Sequence, residues 1–215
     1  MQSIKLDIVS DVVCPWCVIG YKRLELAMAE LEGELQFDID WHPFELNPDM
    51  PPEGENIVEH ITRKYGITEQ ASAENRARMA EIGKGLGFTF NMTADRRIYN
   101  TFDAHRVLHW AREQGQQQPF NLALFAEHFT EGNNPSDPAV LRRVAEALDL
   151  DPAQVDAVLQ SDRYAEAVRA EERHYMEAGI HAVPGFVINQ QYLISGGQEP
   201  ETFVKAFRRI AQEAA

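Results

Sequence analysis

The sequence predicts an α/β protein with a large α-helical insertion, and three observations predict it. Strand, helix and strand patterns fill about the first 40 residues, the length of a βαβ unit. Helix signals then follow one another from 56 to 178. Two short β-like runs and a closing helix end the chain. At 215 residues, 44% hydrophobic and 25% charged, the chain is long enough to bury a real core and has an ordinary globular composition.

In SIKLDIVS, Ile4, Leu6 and Ile8 alternate with polar neighbours, the period of a strand. From Pro15 to Leu31 the apolar positions Val18, Ile19, Leu24, Leu26, Met28 and Leu31 suit a helix that stops at Gly33. Leu35, Phe37, Ile39 and Trp41 alternate in a second strand. ELNPDMPPEGEN then breaks the pattern with prolines and a glycine, a loop or boundary. Helical segments follow in AENRARMAEIGKGLG, NTFDAHRVLHWAREQG and PFNLALFAEHFTEG, each running into glycine. SDPAVLRRVAEAL and DPAQVDAVL both set Asp before Pro, an N-cap followed by a first-turn proline. DRYAEAVRAEERHYMEAG is long, charged and closed by Gly179. AVPGFVIN and QYLISGG read as a hairpin around Asn189-Gln190-Gln191, although that turn lacks glycine. EPETFVKAFRRIAQEA closes as a helix with Pro200 near its start. The α/β domain is thus expected over 1–48 and 179–215, with the helical insertion over 49–178.

Charge narrows the partners. Lysine and arginine number 20 against 34 acids, a formal charge of -14, which repels phosphate backbones and argues against nucleic acid. The first residues, MQSIKLDIVSD, alternate and carry acids, unlike a signal peptide, and no stretch has the apolar length of a membrane span. A cytoplasmic location and no membrane partner are the expectation. Two cysteines in so long a chain are not the framework of a small secreted protein.

Those two cysteines stand in VSDVVCPWCVIG, residues 9–20. A structural zinc site needs four ligands and no second pair exists, so a metal is not expected. A staple closing so short a loop removes little unfolded-state entropy. A redox pair is the reading that C-x-x-C beside a βαβ pattern favours. Cys14 falls where the first helix begins, facing free backbone N–H groups and the positive end of the helix dipole, both of which favour a thiolate. Favouring a thiolate a thousandfold takes about 4 kcal/mol. A dipole supplies at most about 2 kcal/mol, so N–H···S bonds have to provide the rest. Cys14 is therefore the expected attacking sulfur. Cys17, one turn inside the helix, is the resolving one. Pro15 pre-sets the helical φ.

The chain resembles the DsbA-like thioredoxin-fold family, in particular its FrnE-type branch, which also holds the 2-hydroxychromene-2-carboxylate isomerases. The resemblance is carried by SDVVCPWCVIG at 10–20, WHPFELNP at 41–48, NTFDAHR at 100–106, VPGFVIN at 183–189 and SGGQ at 195–198. It implies a thioredoxin-like α/β fold with the helical insertion, and a cis Val183-Pro184 bond against the cysteines that offers the Val183 backbone to an incoming peptide strand. It also implies that Asn100 and His105 lie near the active-site cleft, so that substrate contacts are expected from Pro15, Trp16, Val183, Pro184, Asn100 and His105. The implied activity is protein thiol–disulfide oxidoreduction without metal or organic cofactor, on protein or small-molecule thiols and disulfides including glutathione, by a monomer or homodimer. Two departures qualify it. The isomerase branch carries serine where this chain has Cys14, which disfavours isomerisation. Trp16 stands where strong periplasmic oxidants of the wider family carry histidine, which implies a milder oxidant. The rivals are a glutathione-dependent isomerase or transferase on the same fold and a redox-switched chaperone.

Lesser signals read more plainly. His105 and His109 are spaced to share a metal, but no third ligand is evident. His181 lies three residues before Pro184, within possible reach of the sulfurs. The glycines of GKGLGF follow no strand and suit a helix-end turn. Phe102, Trp110, Phe120, Phe125 and Phe129 recur at helical spacing as insertion core, some of them available to line a groove over Cys14.

Overall fold

A computed structural model describes residues 2–213. Strand β1 (Gln2–Ser10) leads through helix α1 (Pro15–Glu30) to β2 (Leu35–Pro43), which pairs with β1 in parallel, Ile4 opposite Phe37 and Ile8 opposite Trp41. The chain returns to this sheet after the insertion, as β5 (Gly185–Ile188) and β6 (Tyr192–Ser195), and closes with α9 (Pro200–Glu213). β5 lies antiparallel on the other side of β1, giving the order β2-β1-β5-β6. β1 is therefore central. Its Ile4, Leu6 and Ile8 face one core while Val9 is buried on the opposite side with Tyr175 and Ile180, so the expected alternation becomes burial on both faces.

The hairpin turn solves its missing glycine with asparagine. Asn189 and Gln190 both take positive φ, 50° and 57°, the pair of left-handed residues that a type I′ turn needs. Asn189 recovers part of that cost locally: its N–H donates to Lys5 O at 2.9 Å, and its Oδ1 accepts from Lys5 N at 3.0 Å.

Between β2 and β5 run α2 (Ile57–Tyr65), α3 (Glu69–Gly85), α4 (Phe102–Glu113), α5 (Gln117–Ala126), α6 (Pro138–Ala147), α7 (Pro152–Leu159) and α8 (Ala165–Glu177), with a small ribbon of β3 (Glu55–Asn56) and β4 (Arg97–Ile98). The Asp-Pro pairs act as expected. Asp137 and Asp151 accept from Ala139 N at 2.7 Å and Ala153 N at 2.9 Å, each ahead of a first-turn proline. α2 is a separate helix, capped by Asn56, and α3 starts at Glu69 under a Thr68 cap, earlier than the sequence pattern indicates. The segment expected as one helix over PFNLALFAEHFTEG is α5 followed by a π-helical turn, Glu127–Glu131.

The apolar core divides in two. One part joins the sheet to α1 and α9 through Leu6, Ile8, Phe186, Phe203 and Phe207. The other lies inside the helices around Val107, Trp110, Phe120, Leu141 and Val155. Val12 and Val13 pack into the helical core, whereas Cys14 and Cys17 pack into the sheet core. The cysteine motif thus sits on the seam between the two.

Candidate active site

The loop from β1 to α1 is held by one buried carboxylate. Asp11 is fully buried; its Oδ2 accepts from Leu46 N at 2.7 Å and its Oδ1 from Val13 N at 3.4 Å. The Asp11 carbonyl accepts from Cys14 N at 3.0 Å, and the Cys14 carbonyl from Cys17 N at 3.1 Å. Cys14 is the N-cap of α1, with extended backbone (φ −95°, ψ 110°) and Pro15 at the first helical position. The first turn holds no acidic side chain, and the Cys14 side chain makes no capping hydrogen bond, so the N–H···S bonds expected from the sequence are not formed. Both cysteines are free thiols, Cys14 4% exposed and Cys17 1%. Burial pushes the Cys17 thiol well up from its ordinary value, and the neighbouring Cys14 sulfur pushes it further. Cys17 therefore holds its proton beside Cys14.

The Val183–Pro184 bond is cis, and Val183 O lies 3.8 Å from Cys14 Sγ, within reach of a thiol proton. α1 approaches this segment closely because residue 20 is glycine. A Cβ there would meet Phe186 and Pro184 ring carbons at 3.1 Å and Gly197 Cα at 3.2 Å. Gly196 N donates to Pro184 O at 2.8 Å, and Arg23 Nη1 to Gly197 O at 2.6 Å, tying the SGGQ segment to the back of Pro184.

Cys14 opens into a cavity of about 730 Å³. Pro15, Trp16, His181, Ala182 and Val183 form one wall; α2 and α3 face them across the space with Tyr65, Arg76 and Met79. Trp16 is 38% exposed and lies at the rim with Tyr65. The charge of this lining runs against that of the chain. Lys64 donates to Leu46 O at 2.7 Å and Asn47 Oδ1 at 2.6 Å, Arg76 to Ser72 Oγ at 2.7 Å, and Arg78 to Asn75 Oδ1 at 2.7 Å. None of the three has a carboxylate partner among the described residues. Glu45 also lines the cavity but is paired with Arg169. The π-helical turn brings His128 and Phe129 to the wall, a frequent use of such turns at functional sites. Burial lowers the His128 pKa to about 4, leaving the ring neutral with Nδ1 3.3 Å from Asn133 O.

Cys14, Pro15, Trp16 and Val183 line this cavity; Asn100 and His105 do not. Asn100 Nδ2 donates to Pro48 O at 3.1 Å and Glu45 Oε2 at 3.3 Å, and its Oδ1 accepts from Phe102 N at 3.0 Å, which makes it a staple of the loop before α4. His105 is buried behind the motif, Nε2 3.1 Å from Phe44 O and 3.6 Å from Asp11 Oδ1. Burial presses its pKa down, but the Asp11 carboxylate and then Glu172 and Glu45 hold it above the usual histidine range. His109 Nδ1 contacts Glu171 at 3.2 Å instead of sharing a metal with His105, and among the described residues no three His, Cys, Asp or Glu side chains cluster as metal ligands. The sequence reading missed Asp11, Lys64, Arg76, Arg78 and His128. Asp11 carried a signal, an Asx-type residue two before Val13, whose N–H it takes. The cations carried none, because only the fold brings α2 and α3 over Cys14.

The chain matches the model of the DSBA-like thioredoxin domain over residues 5–208. The chain belongs to the DSBA-like thioredoxin domain family. Among members of known structure, a probable DsbA oxidoreductase, SCO1869 from Streptomyces coelicolor, is 30% identical with a TM-score of 0.91, covering 98% of this chain and 91% of its own. The uncharacterized protein YwbO from Bacillus subtilis is 29% identical over 206 residues, 95% of this DSBA-like chain and 96% of YwbO. The cytosolic disulfide reductase DsbM from Pseudomonas aeruginosa, solved with GSH, shares the fold at 16% identity, with a TM-score of 0.66 and coverage of 97% and 99%. No helix among the described residues of this DSBA-like protein is long and apolar enough to cross a membrane.

Proposed function

We propose that this protein is a thiol–disulfide oxidoreductase in which Cys14 attacks and Cys17 resolves. The observation that carries the reading is the asymmetry of the pair: Cys14 caps α1 at the floor of the open cavity, whereas Cys17 lies 1% exposed one turn deeper with its proton firmly held. The Cys14 thiolate attacks a substrate disulfide, forming a Cys14 mixed disulfide and expelling one substrate thiolate. Cys17 then loses its proton and attacks the Cys14 sulfur, which closes the Cys14–Cys17 disulfide and releases the second substrate thiolate. The same steps run backwards oxidise a dithiol. The cysteine pair stores both electrons, so the reading calls for neither metal nor organic cofactor.

The lining supports a substrate that joins apolar groups to negative charge: Trp16, Tyr65, Met79 and Phe129 supply the apolar contacts, and Lys64, Arg76 and Arg78 the cationic ones. Glutathione, bound by the similarly folded DsbM, has that charge, and a reductase role in the cytoplasm is the setting that fits it. Exchange with glutathione disulfide and with the uncharged hydroxyethyl disulfide tests the proposal. Wild type should turn over both, with a preference for the anionic substrate that shrinks as salt rises. Failure with both substrates, in a folded and reduced protein, removes the proposed activity.

A further inference from the structure

The cavity over Cys14 is larger and more cationic than a tripeptide thiol requires. Ligand pockets run from about 300 to about 1,000 Å³, and a glutathionyl group belongs near the lower end. This cavity has about 730 Å³, and a groove of about 350 Å³ adjoins it, sharing Leu46, Asn47, His60 and Lys64 in its lining. Lys64 therefore stands at the join. Charge points the same way. Among the described residues, Lys64, Arg76 and Arg78 are bonded only to neutral oxygens while they line the large cavity. Glu45, the carboxylate in that lining, is taken by Arg169. A glutathionyl group, with two carboxylates and one ammonium, has a net charge of about −1 at pH 7 and answers one of the three cations.

The adjoining groove has a different character. Leu46, Pro48 and Met50 give it apolar walls, and its acids are Asp49 and Glu55, the latter held by Arg63 and His60. It suits the uncharged end of a ligand whose anionic middle lies at the three cations. Tyr65, 57% exposed, is at the rim beside Lys64, whose ammonium is 5.9 Å from its ring centre, and presents an aromatic face on which a flat ring can stack. We propose that the disulfide this protein exchanges carries a phosphorylated nucleoside on its thiol arm: the sulfur at Cys14, the phosphates at Lys64, Arg76 and Arg78, and the nucleoside toward Tyr65 and the adjoining groove. This names the substrate class of the exchange reading above and rests on it. Guanidinium forks bind phosphate oxygens in pairs. A pyrophosphate with one phosphomonoester carries about −3 to −4 at pH 7, which meets the three cations. The chemistry is that of exchange. The Cys14 thiolate bonds to one substrate sulfur and expels the other arm as thiolate; Cys17 then releases its proton to solvent, bonds to Cys14 and expels the first arm. The protein gives up two electrons as the Cys14–Cys17 disulfide forms, and the substrate disulfide takes them.

Oxidation of the fully reduced protein by one disulfide at a time, quenched by alkylation and read by intact mass, needs no second reductant. Coenzyme A disulfide is the probe, with glutathione disulfide and hydroxyethyl disulfide as references. Each rate is divided by the rate at which the same disulfide oxidises free dithiothreitol, which removes differences in intrinsic reactivity. So normalised, coenzyme A disulfide should react about tenfold faster than glutathione disulfide at low salt, despite the chain's charge of -14. That advantage should shrink as salt rises. In the double variant Arg76→Gln/Arg78→Gln the preference for coenzyme A disulfide over hydroxyethyl disulfide should fall about tenfold. Adenosine 3′,5′-bisphosphate, which has phosphates and a base without sulfur, should slow the coenzyme A disulfide reaction of wild type more than sulfate does at the same ionic strength. A normalised rate no higher than that of glutathione disulfide, a preference that survives the double substitution, or inhibition no stronger than by sulfate overturns this substrate class, and oxidation by hydroxyethyl disulfide would then leave exchange standing. No oxidation by any of the three disulfides removes exchange, and the substrate class with it.

Discussion

Acidification from pH 6.5 to 4.5 should destabilise this protein through one histidine in the wall of the large cavity. His128 is nine-tenths buried and accepts no charge partner; burial holds its pKa near 4 against an ordinary 6.5. Between those values the unfolded chain binds a proton that the folded chain refuses, so stability falls as pH falls. With the two values as given, the loss between pH 6.5 and 4.5 is about 2 kcal/mol, approaching about 3 kcal/mol below pH 4. Glu45, whose carboxyl burial raises above its ordinary value, acts in the same window with the opposite sign, and it cancels when wild type is compared with a His128 variant. The raised pKa values of His42 and His105 give stability that is lost only as pH rises above 6.5, and the depressed Glu171 carboxyl acts below 4.5. Urea unfolding of wild type and His128→Gln at half-unit steps of pH reads the effect as the difference between the two curves. Wild type should lose about 2 kcal/mol more than the variant across the window. Parallel curves would refute the reasoning, since they would show a histidine that titrates alike folded and unfolded.

Two further outcomes follow from packing and charge. Gly20→Ala adds a methyl 3.1 Å from the Pro184 and Phe186 rings, so the variant should unfold with about 1–3 kcal/mol less stability in urea. Its exchange rate should fall as well, because α1 and the Val183–Pro184 segment can no longer meet at Cys14. Glu171 gathers Arg112 (2.8 Å), His42 (2.8 Å) and His109 (3.2 Å), which hold its carboxyl far below the usual range against the cost of burial. Glu171→Gln should cost about 3 kcal/mol at pH 7 by leaving Arg112 without its carboxylate. Wild type, but not the variant, should lose this increment as pH falls below 4.5.

The parts of the fold legible in the sequence are those whose signal is local. The alternation of Ile4, Leu6 and Ile8, the Asp-Pro caps at 137 and 151, and the glycines closing helices each report the geometry of their own segment. The cysteine pair was legible for the same reason, since strand end, C-P-x-C and helix start are contiguous. What was not legible depends on chain segments that meet only in space. Lys64, Arg76 and Arg78 look like ordinary solvated charges on polar helices until α2 and α3 are set over Cys14. His128 looks like one more polar residue in a helix until the π-helical turn rotates it to the cavity wall. Asn100 and His105, expected near the cleft, instead brace the loops around Glu45 and Asp11.

The division of labour between the two sulfurs is tested most directly by intact-mass measurement of the single variants after exposure to glutathione disulfide. Cys17→Ala should accumulate one glutathione on Cys14 and keep it, whereas Cys14→Ala, left with a sulfur that is 1% exposed, should stay unmodified. An adduct that forms as fast on Cys17 as on Cys14 would contradict the assignment.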